Sequence, residues 1–295
     1  MIDPTILDKI RNGQGFIAAL DQSGGSTPGA LKAYGIGADA YSNDEEMYGL
    51  IHDMRTRIIT SPSFTGGKVL GAILFERTMD GEADGRPVPQ ALLDRGVLPF
   101  LKVDKGLEEA ADGVKLMKPM PELDALLARG KAKGVIGTKM RSVIDLANPA
   151  GIAAIVAQQF DVANQIIDAG LMPIVEPEVS IGSPERAAAE DILLAELTKA
   201  LDAQGEGREV MLKLTIPTVP DLYASLVDHP RVARVVALSG GFTRDEACVE
   251  LKKNRGMIAS FSRALLSDLR GNMSDNEFDA ALGTAIDQIC DASAS

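Results

Sequence analysis

Residues Val210–Ile216 read Val-Met-Leu-Lys-Leu-Thr-Ile, and this stretch decides the fold. Successive side chains of a strand point to opposite faces, so Met211, Lys213 and Thr215 share one face while the other face carries only Val, Leu and Ile. An entirely aliphatic face is typical of a strand that is covered by helices. Lys213 therefore lies on the opposite face of the strand, which points away from the helices.

Seven other short apolar runs, dense in Val, Ile and Leu, alternate with longer amphipathic stretches. Together with Val210–Ile216 they give eight strand candidates, the others being Gly15–Asp21, Val69–Phe75, Val97–Val103, Val135–Met140, Met172–Val179, Val232–Ser239 and Met257–Ser262. The alternation predicts repeated β–α units, and eight of them predict an α/β fold, a (β/α)8 TIM barrel that forms a single domain over residues 1–295. An open doubly wound sheet is the alternative, but its Gly-x-Gly-x-x-Gly motif does not follow the first strand.

The starts of several helices are also readable. Ser42–Glu45, Thr243–Glu246 and Ser274–Glu277 each place a capping residue three positions before an acid, which predicts three capping boxes. Asn148-Pro149 and Ser183-Pro184 place a proline where a helix begins, because proline is favoured at the first helical position.

Composition excludes several classes of function. The formal net charge of −12 opposes binding to nucleic acid or to an anionic membrane, since both are bound mainly by clustered Lys and Arg. The two cysteines, Cys248 and Cys290, and the two histidines, His52 and His229, support neither a disulfide framework nor a zinc site built on several imidazoles. Met1–Pro4 lacks the features of a signal peptide and no apolar run reaches membrane length, so we expect a cytoplasmic protein.

Charged residues turn inward near the C-terminal ends of several strands. By the same alternation the inward-facing set is Asp21, Lys102, Asp104, Lys139, Arg141, Glu176, Glu178 and Lys213. Catalytic residues of (β/α)8 barrels lie at this rim. So many desolvated charges are costly unless they bind or transform something polar, so the sequence predicts an active site there.

Lys213 has the properties of a nucleophile. Loss of solvation disfavours an ammonium ion, so burial in the barrel is expected to lower the pKa of Lys213 and to make a neutral amine available near physiological pH. Such an amine can attack a carbonyl carbon.

Two anion sites are predicted at the same rim. Ser239, Gly240 and Gly241 follow the seventh strand and offer backbone N–H groups, while Ser262 and Arg263 follow the eighth strand. These two loops are the usual phosphate site of such barrels. A second phosphate would be held after the first strand by Ser23 and Ser26, with Gly24 and Gly25 between them.

Four segments in the same order resemble those of class I fructose-bisphosphate aldolases, and the resemblance extends over nearly the whole chain. The segments are Leu20–Ser23, Lys102–Gly106, Ile174–Glu178 and Leu238–Gly241. The short length is similar to the bacterial form of the class. The resemblance implies a lyase that reversibly cleaves fructose 1,6-bisphosphate to dihydroxyacetone phosphate and glyceraldehyde 3-phosphate through a lysine Schiff base, with no metal and no cofactor.

The resemblance also implies roles for individual residues. Lys213 would form the Schiff base, Glu176 would act as acid and base, Lys139 would stabilise developing charge, and Asp21 would orient the covalent intermediate. Glu178 and Arg141 would support the charge network, Lys102 would contact the aldehyde half of the substrate, and the C1 phosphate would bind Ser239, Gly240, Ser262 and Arg263.

The chain departs from the animal-type pattern at several positions. Gln22 and Gly24 replace an acidic residue and a threonine, Ser262 stands where glycine is common, and Asp291–Ser295 lacks the terminal tyrosine that takes part in proton exchange at the enamine. Two alternatives stay open: another Schiff-base aldolase of the transaldolase kind, which shares the barrel and the lysine, or a sugar-phosphate-binding scaffold on an inactive barrel. A sugar phosphate is the expected partner in each case, and the sequence does not decide between a monomer and a homo-oligomer.

Overall fold

Eight parallel strands form the centre of the molecule in a computed structural model that describes residues 2–294. The strands are β1 (Phe16–Leu20), β2 (Val69–Leu74), β3 (Leu98–Lys102), β4 (Gly137–Ile144), β5 (Met172–Val179), β6 (Val210–Thr215), β7 (Val232–Leu238) and β8 (Ile258–Ala259). Met1 and Ser295, the two ends of the predicted domain, lie outside the described residues.

Twelve α-helices are found among the described residues, most of them between or after the strands. They are α1 (Pro4–Asn12), α2 (Thr27–Ala33), α3 (Asp44–Thr60), α4 (Glu76–Asp80), α5 (Val88–Asp94), α6 (Leu123–Ala132), α7 (Pro149–Asp168), α8 (Arg186–Asp202), α9 (Ala224–Val227), α10 (Arg244–Leu251), α11 (Arg263–Leu266) and α12 (Asp275–Ala292). The order of strands and helices is that of repeated β–α units.

The strands pair in chain order from β1 to β8, each with the next and each in parallel. Across the remaining gap the amide of Ala19, in β1, donates to the carbonyl of Phe261, just after β8, at 3.1 Å. The sheet is therefore a nearly closed barrel. The predicted α/β class and (β/α)8 fold are confirmed, and all eight strand candidates are strands.

Two departures from the predicted strands have local causes. β4 extends to Ile144 rather than ending at Met140, because Val114–Lys115 in the connection after β3 pairs with its last two residues in antiparallel fashion. A two-residue hairpin, Glu82–Ala83 with Arg86–Pro87, lies between α4 and α5. Its turn has positive φ at Asp84 and Gly85, as a tight hairpin turn of this kind requires.

Most of the predicted helix starts are confirmed. The capping boxes at Thr243 and Ser274 are present, and Asn148 caps α7 with Pro149 at its first position. The prediction for α3 was wrong by one residue, because Asn43 rather than Ser42 accepts the hydrogen bond of the cap. Ser183-Pro184 does not begin a helix, since α8 starts two residues later at Arg186.

The core has two parts on either side of the barrel wall. The outer and larger part lies between strands and helices and includes Leu212 and Leu214 of β6. The inner part fills the barrel and includes Met211 of the same strand, Ile174 of β5 and Ile10 of α1. The predicted alternation of β6 is therefore confirmed, and α1 closes the N-terminal end of the barrel. The C-terminal end is left for polar residues.

Candidate active site

A chain of four charged side chains crosses the interior of the barrel near its C-terminal end. The Nζ atom of Lys213 lies 3.1 Å from Oε1 of Glu176, and the Nζ atom of Lys139 lies 2.9 Å from Oε2 of the same carboxylate. Lys139 is also 2.8 Å from Oδ2 of Asp21. The side chains of both lysines and of Glu176 are at most 5% exposed, so two basic and two acidic side chains alternate almost out of contact with water.

Strand register brings these residues together. Lys139 on β4 pairs with Ile174 on β5, which in turn pairs with Met211 on β6. Glu176 and Lys213 each come two residues later and therefore face the interior one layer closer to the C-terminal rim. Asp21 reaches the same interior directly after the end of β1.

The charges of the chain stabilise one another against burial. Burial alone would raise the pKa of Asp21 and of Glu176, but Lys139 and Lys213 beside them lower the pKa of both carboxyl groups below the ordinary value. Burial would likewise lower the pKa of Lys139, but Asp21 and Glu176 raise it well above the ordinary value of a lysine. Lys139 therefore remains a cation between two carboxylates.

Glu176 is also fixed through its backbone. Its amide donates to Oε1 of Gln159 at 2.8 Å, and Gln159 is a fully buried residue of α7. Sequence reasoning missed Gln159. The available signal was a polar residue beside Phe160 in an otherwise apolar stripe of α7.

Two further ion pairs flank the chain. Nζ of Lys102 donates to the carbonyl oxygen of Asp104 at 2.8 Å and also pairs with its carboxylate. Arg141 pairs with Glu178 closer to the rim, where the arginine side chain is 38% exposed. Burial alone would lower the pKa of Arg141, but Glu178 raises it, so the arginine stays charged.

The loop after β7 is shaped by two glycines. Gly240 has φ +62° and Gly241 has φ +139°, and a Cβ at Gly240 would lie 2.5 Å from Cγ2 of Ile181. The amide of Gly241 donates to the carbonyl of Ser239 at 2.7 Å, so this N–H is engaged within the turn. The expectation that both glycine amides are free for an anion was therefore wrong for Gly241. Among residues 2–294 the amide of Gly240 has no acceptor.

The loop after β8 lies against the loop after β7. The guanidinium of Arg263 is 3.6 Å from the position that a Cβ of Gly241 would take. The arginine is exposed, and within the described part of the chain no carboxylate forms an ion pair with it. The hydroxyl of Ser262, the preceding residue, accepts a hydrogen bond from Gln22 at 2.6 Å. The structure thus brings together the two loops in which the first anion site is predicted.

Two donors of the predicted second anion site are bonded within their own loop. The amide of Ser23 donates to Oγ of Ser26 at 3.0 Å, and this hydroxyl donates to the carbonyl of Ser23 at 2.9 Å. The Ser23 amide and the Ser26 hydroxyl are therefore engaged within the loop after β1, and among residues 2–294 no hydrogen bond joins either serine to the charged chain.

Arg55 is a further rim residue that sequence reasoning missed. It lies on α3 and is 1% exposed, four residues after the buried Ile51. The signal was an arginine within the apolar stripe of this helix. Burial lowers the pKa of Arg55 to about 10, although Asp21 acts in the opposite direction.

Neither histidine is near the charged chain. His52 contacts the carbonyl of Glu82, and His229 contacts the carboxylate of Asp202. Across residues 2–294 no three His, Cys, Asp or Glu side chains come together as metal ligands would. In the same range no helix combines the length and the apolar character needed to cross a membrane.

Comparisons with known proteins identify the family and the fold of the chain. The model of the glycolytic family described as fructose-bisphosphate aldolase class-I matches residues 5–216. The fructose-bisphosphate aldolase of Plasmodium falciparum shares the fold, with a TM-score of 0.81 and 22% sequence identity over 98% of this chain and 93% of that chain. A protein of Corynebacterium glutamicum has a TM-score of 0.56 and 16% identity over 98% of this chain and 92% of its own.

Proposed function

Because the chain belongs to the class I fructose-bisphosphate aldolase family, which makes it a lyase, we propose that it reversibly cleaves fructose 1,6-bisphosphate through a Schiff base on Lys213. The products would be dihydroxyacetone phosphate and glyceraldehyde 3-phosphate. The observation that carries the proposal is the buried amine of Lys213 at 3.1 Å from Glu176. The family is glycolytic, so we place the reaction in glycolysis and gluconeogenesis and the protein in the cytoplasm.

The first half of the reaction forms the Schiff base. A proton first passes from Lys213 to Glu176, 3.1 Å away, and the neutral amine then attacks the C2 carbonyl carbon to give a carbinolamine, whose hydroxyl leaves as water with the proton that Glu176 returns. Nζ of Lys139 lies 2.9 Å from Oε2 of Glu176 and stabilises the negative charge of Glu176 after this proton transfer. The product of these steps is a protonated iminium.

The second half breaks the C3–C4 bond. Glu176, now ionised, takes the proton of the C4 hydroxyl, and the electron pair of the broken bond moves into the iminium to leave an enamine. The aldehyde half departs, the proton that Glu176 took is returned through water to C3 of the enamine, and hydrolysis of the resulting iminium releases the second product from Lys213. The iminium nitrogen is the electron sink, so this route requires no cofactor.

The phosphate on C1 would bind between the loops after β7 and β8. The amide of Gly240, the hydroxyl of Ser262 and the guanidinium of Arg263 are the donors that these loops offer, with Ser239 and Gly241 shaping the first loop. Lys102, Arg141 and Glu178 would contact the hydroxyl groups and the aldehyde half of the sugar.

Borohydride trapping tests the mechanism. Reduction in the presence of dihydroxyacetone phosphate should attach the triose covalently to Lys213 and inactivate the enzyme, as measured by intact-mass and peptide mass spectrometry. Lys213→Ala should form no adduct and lose aldol cleavage, whereas Lys199→Ala, which removes a largely exposed lysine, should behave as the unmodified protein does. Full activity in Lys213→Ala would exclude the mechanism.

A second candidate function is a Schiff-base aldolase that acts on monophosphorylated sugars. The observation that favours it is the internal bonding of Ser23 and Ser26, which engages two of the expected donors to the second phosphate, the Ser23 amide and the Ser26 hydroxyl. This candidate would be supported if kcat/KM is about the same for fructose 1,6-bisphosphate and for fructose 1-phosphate. A strong preference for the bisphosphate supports the first proposal.

A further inference from the structure

A polar bridge crosses the barrel seam at the C-terminal rim. Nε2 of Gln22, in the loop after β1, donates to Oγ of Ser262, in the loop after β8, at 2.6 Å. This is the seam where β1 and β8 are the end strands of the sheet. The bridge therefore joins the proposed phosphate loop to the part of the chain that follows β1.

The buried Arg55 fixes which way the Gln22 carboxamide points. Its Nη2 group lies 3.2 Å from Oε1 of Gln22 and also donates to the backbone carbonyl of the same residue, while Nη1 donates to the hydroxyl of Thr78 at 2.8 Å. A guanidinium can only donate hydrogen bonds, so the carboxamide oxygen must face Arg55 and the NH2 group must face Ser262.

This orientation determines the role of the Ser262 hydroxyl. A serine hydroxyl has one hydrogen to donate, and its oxygen accepts the hydrogen bond from Gln22. Among residues 2–294 the hydroxyl has no acceptor for its own hydrogen. The hydrogen is therefore directed away from Gln22, and the same loop carries the exposed Arg263 beside Gly241.

We propose that Arg55 and Gln22 form a directional hydrogen-bond relay that makes the Ser262 hydroxyl a dedicated donor to a phosphate group. The inference rests on the proposed function in taking that group to be the C1 phosphate of the substrate. Arg55 and Gln22 are positioning residues, since they act on the anion through Ser262. Because of the relay, the loop should bind an anion that accepts a hydrogen bond more tightly than an anion that interacts through its charge alone.

Inorganic phosphate is the probe for the relay, with its dissociation constant measured by calorimetry on the full chain. Gln22→Met removes the amide and should weaken phosphate binding about tenfold, as expected for the loss of one oriented hydrogen bond to a charged group. Gln22→Glu keeps the bond from Arg55 but accepts the hydroxyl hydrogen of Ser262, so it should weaken binding at least as much. Gln90→Met, which removes an exposed glutamine bonded to Asp94, should leave the constant unchanged.

A double-mutant cycle separates the relay from a structural effect. In a Ser262→Ala background, Gln22→Met should cause no further loss of phosphate affinity, because the donor that it orients is gone. In the enzyme assay Gln22→Met should raise KM for phosphorylated substrates about tenfold and leave kcat within about twofold, a split that general destabilisation does not produce.

The results distinguish this inference from the proposed function. Borohydride trapping of Lys213 at saturating substrate should succeed in Gln22→Met, since the amine and Glu176 are untouched. The relay alone would be overturned if trapping succeeds but Gln22→Met leaves the phosphate affinity unchanged. It would also be overturned if trapping succeeds but the effects of Gln22→Met and Ser262→Ala on phosphate affinity are additive. Failure of trapping in the unmodified protein, with the phosphate results as expected, would overturn the proposed function and leave the relay in place.

Discussion

Asp21 and Glu176 carry ionised carboxylates in a place where carboxyl groups are normally neutral. Burial raises the pKa of each, but Lys139 and Lys213 lower both below their ordinary values. A carboxyl group whose pKa is lower in the folded than in the unfolded protein holds fewer protons when folded. It therefore contributes stability that is present above the unfolded pKa and is lost as the pH falls through the folded pKa.

The same two residues predict how stability depends on pH. The free energy of unfolding should decline as the pH falls below about 4, near the pKa of unfolded Asp and Glu, because protonation breaks both contacts to Lys139. In Asp21→Asn/Glu176→Gln this decline should be shallower, although the variant is less stable at neutral pH since Lys139 has lost its partners. Urea unfolding at several pH values measures the slope.

A charge-matched variant provides the comparison. Asp53→Asn/Glu109→Gln removes two exposed carboxylates and the same net charge, and its decline with acid should match that of the unmodified protein. Equal slopes for all three proteins would contradict the account of the buried charges.

The loop between β7 and α10 depends on the backbone conformation of one residue. Gly240 has φ +62°, and a Cβ there would clash with Ile181 at 2.5 Å. Gly240→Ala should therefore distort the loop and displace the amide that we assign to the phosphate. A side chain at positive φ costs about 1–2 kcal/mol, so we expect KM for fructose 1,6-bisphosphate to rise about tenfold while borohydride trapping of Lys213 persists.

Gly67→Ala is the matched control for this loop. Gly67 lies before β2, far along the chain from the rim loops, and a Cβ there has nothing within 4 Å. Its KM should be unchanged. If Gly240→Ala also leaves KM unchanged, the loop after β7 does not hold the phosphate.

Elements with a long periodic pattern were predictable, and short irregular ones were not. The alternation of Val210–Ile216 placed Lys213 inside the barrel because one face of a parallel strand must be aliphatic. The antiparallel pairing of Val114–Lys115 with β4 left no such pattern, since two residues show no period. Asn43 and Ser42 are equally good caps, so only the backbone conformation of the folded loop decides between them.

In the candidate site, the features that could not be predicted are contacts between residues that are far apart in the sequence. Strand parity predicted that Glu176 and Lys213 face the same interior, because parity is a local property of each strand. The bridge from Gln22 to Ser262 joins residues 240 positions apart, and its geometry follows from closure of the barrel. Composition does not decide whether Ser23 and Ser26 bond to each other or to an anion.

At the scale of the whole molecule, the two ends of the barrel are closed by different means. The C-terminal end is filled by ion pairs, while the N-terminal end is covered by α1, whose fully buried Ile10 belongs to the interior core. Nζ of Lys9 donates to the carbonyl of Gly96 at 2.6 Å, and Nε of Arg234 donates to the carbonyl of Ile10 at 3.0 Å. These bonds fix α1 to the loop before β3 and to β7.

This division separates stability from catalysis and can be tested at the end opposite the active site. Ile10→Ala leaves a cavity inside the barrel and should lower the free energy of unfolding by about 2–5 kcal/mol, as large-to-small core substitutions do. Because Ile10 lies at the N-terminal end and the charged chain at the other, kcat and KM at 25 °C should stay within about twofold of the unmodified enzyme. Asp8→Ala, an exposed position of the same helix, should change stability by less than about 0.5 kcal/mol. A large fall of kcat in Ile10→Ala at a temperature where the protein is fully folded would mean that the two ends of the barrel are coupled.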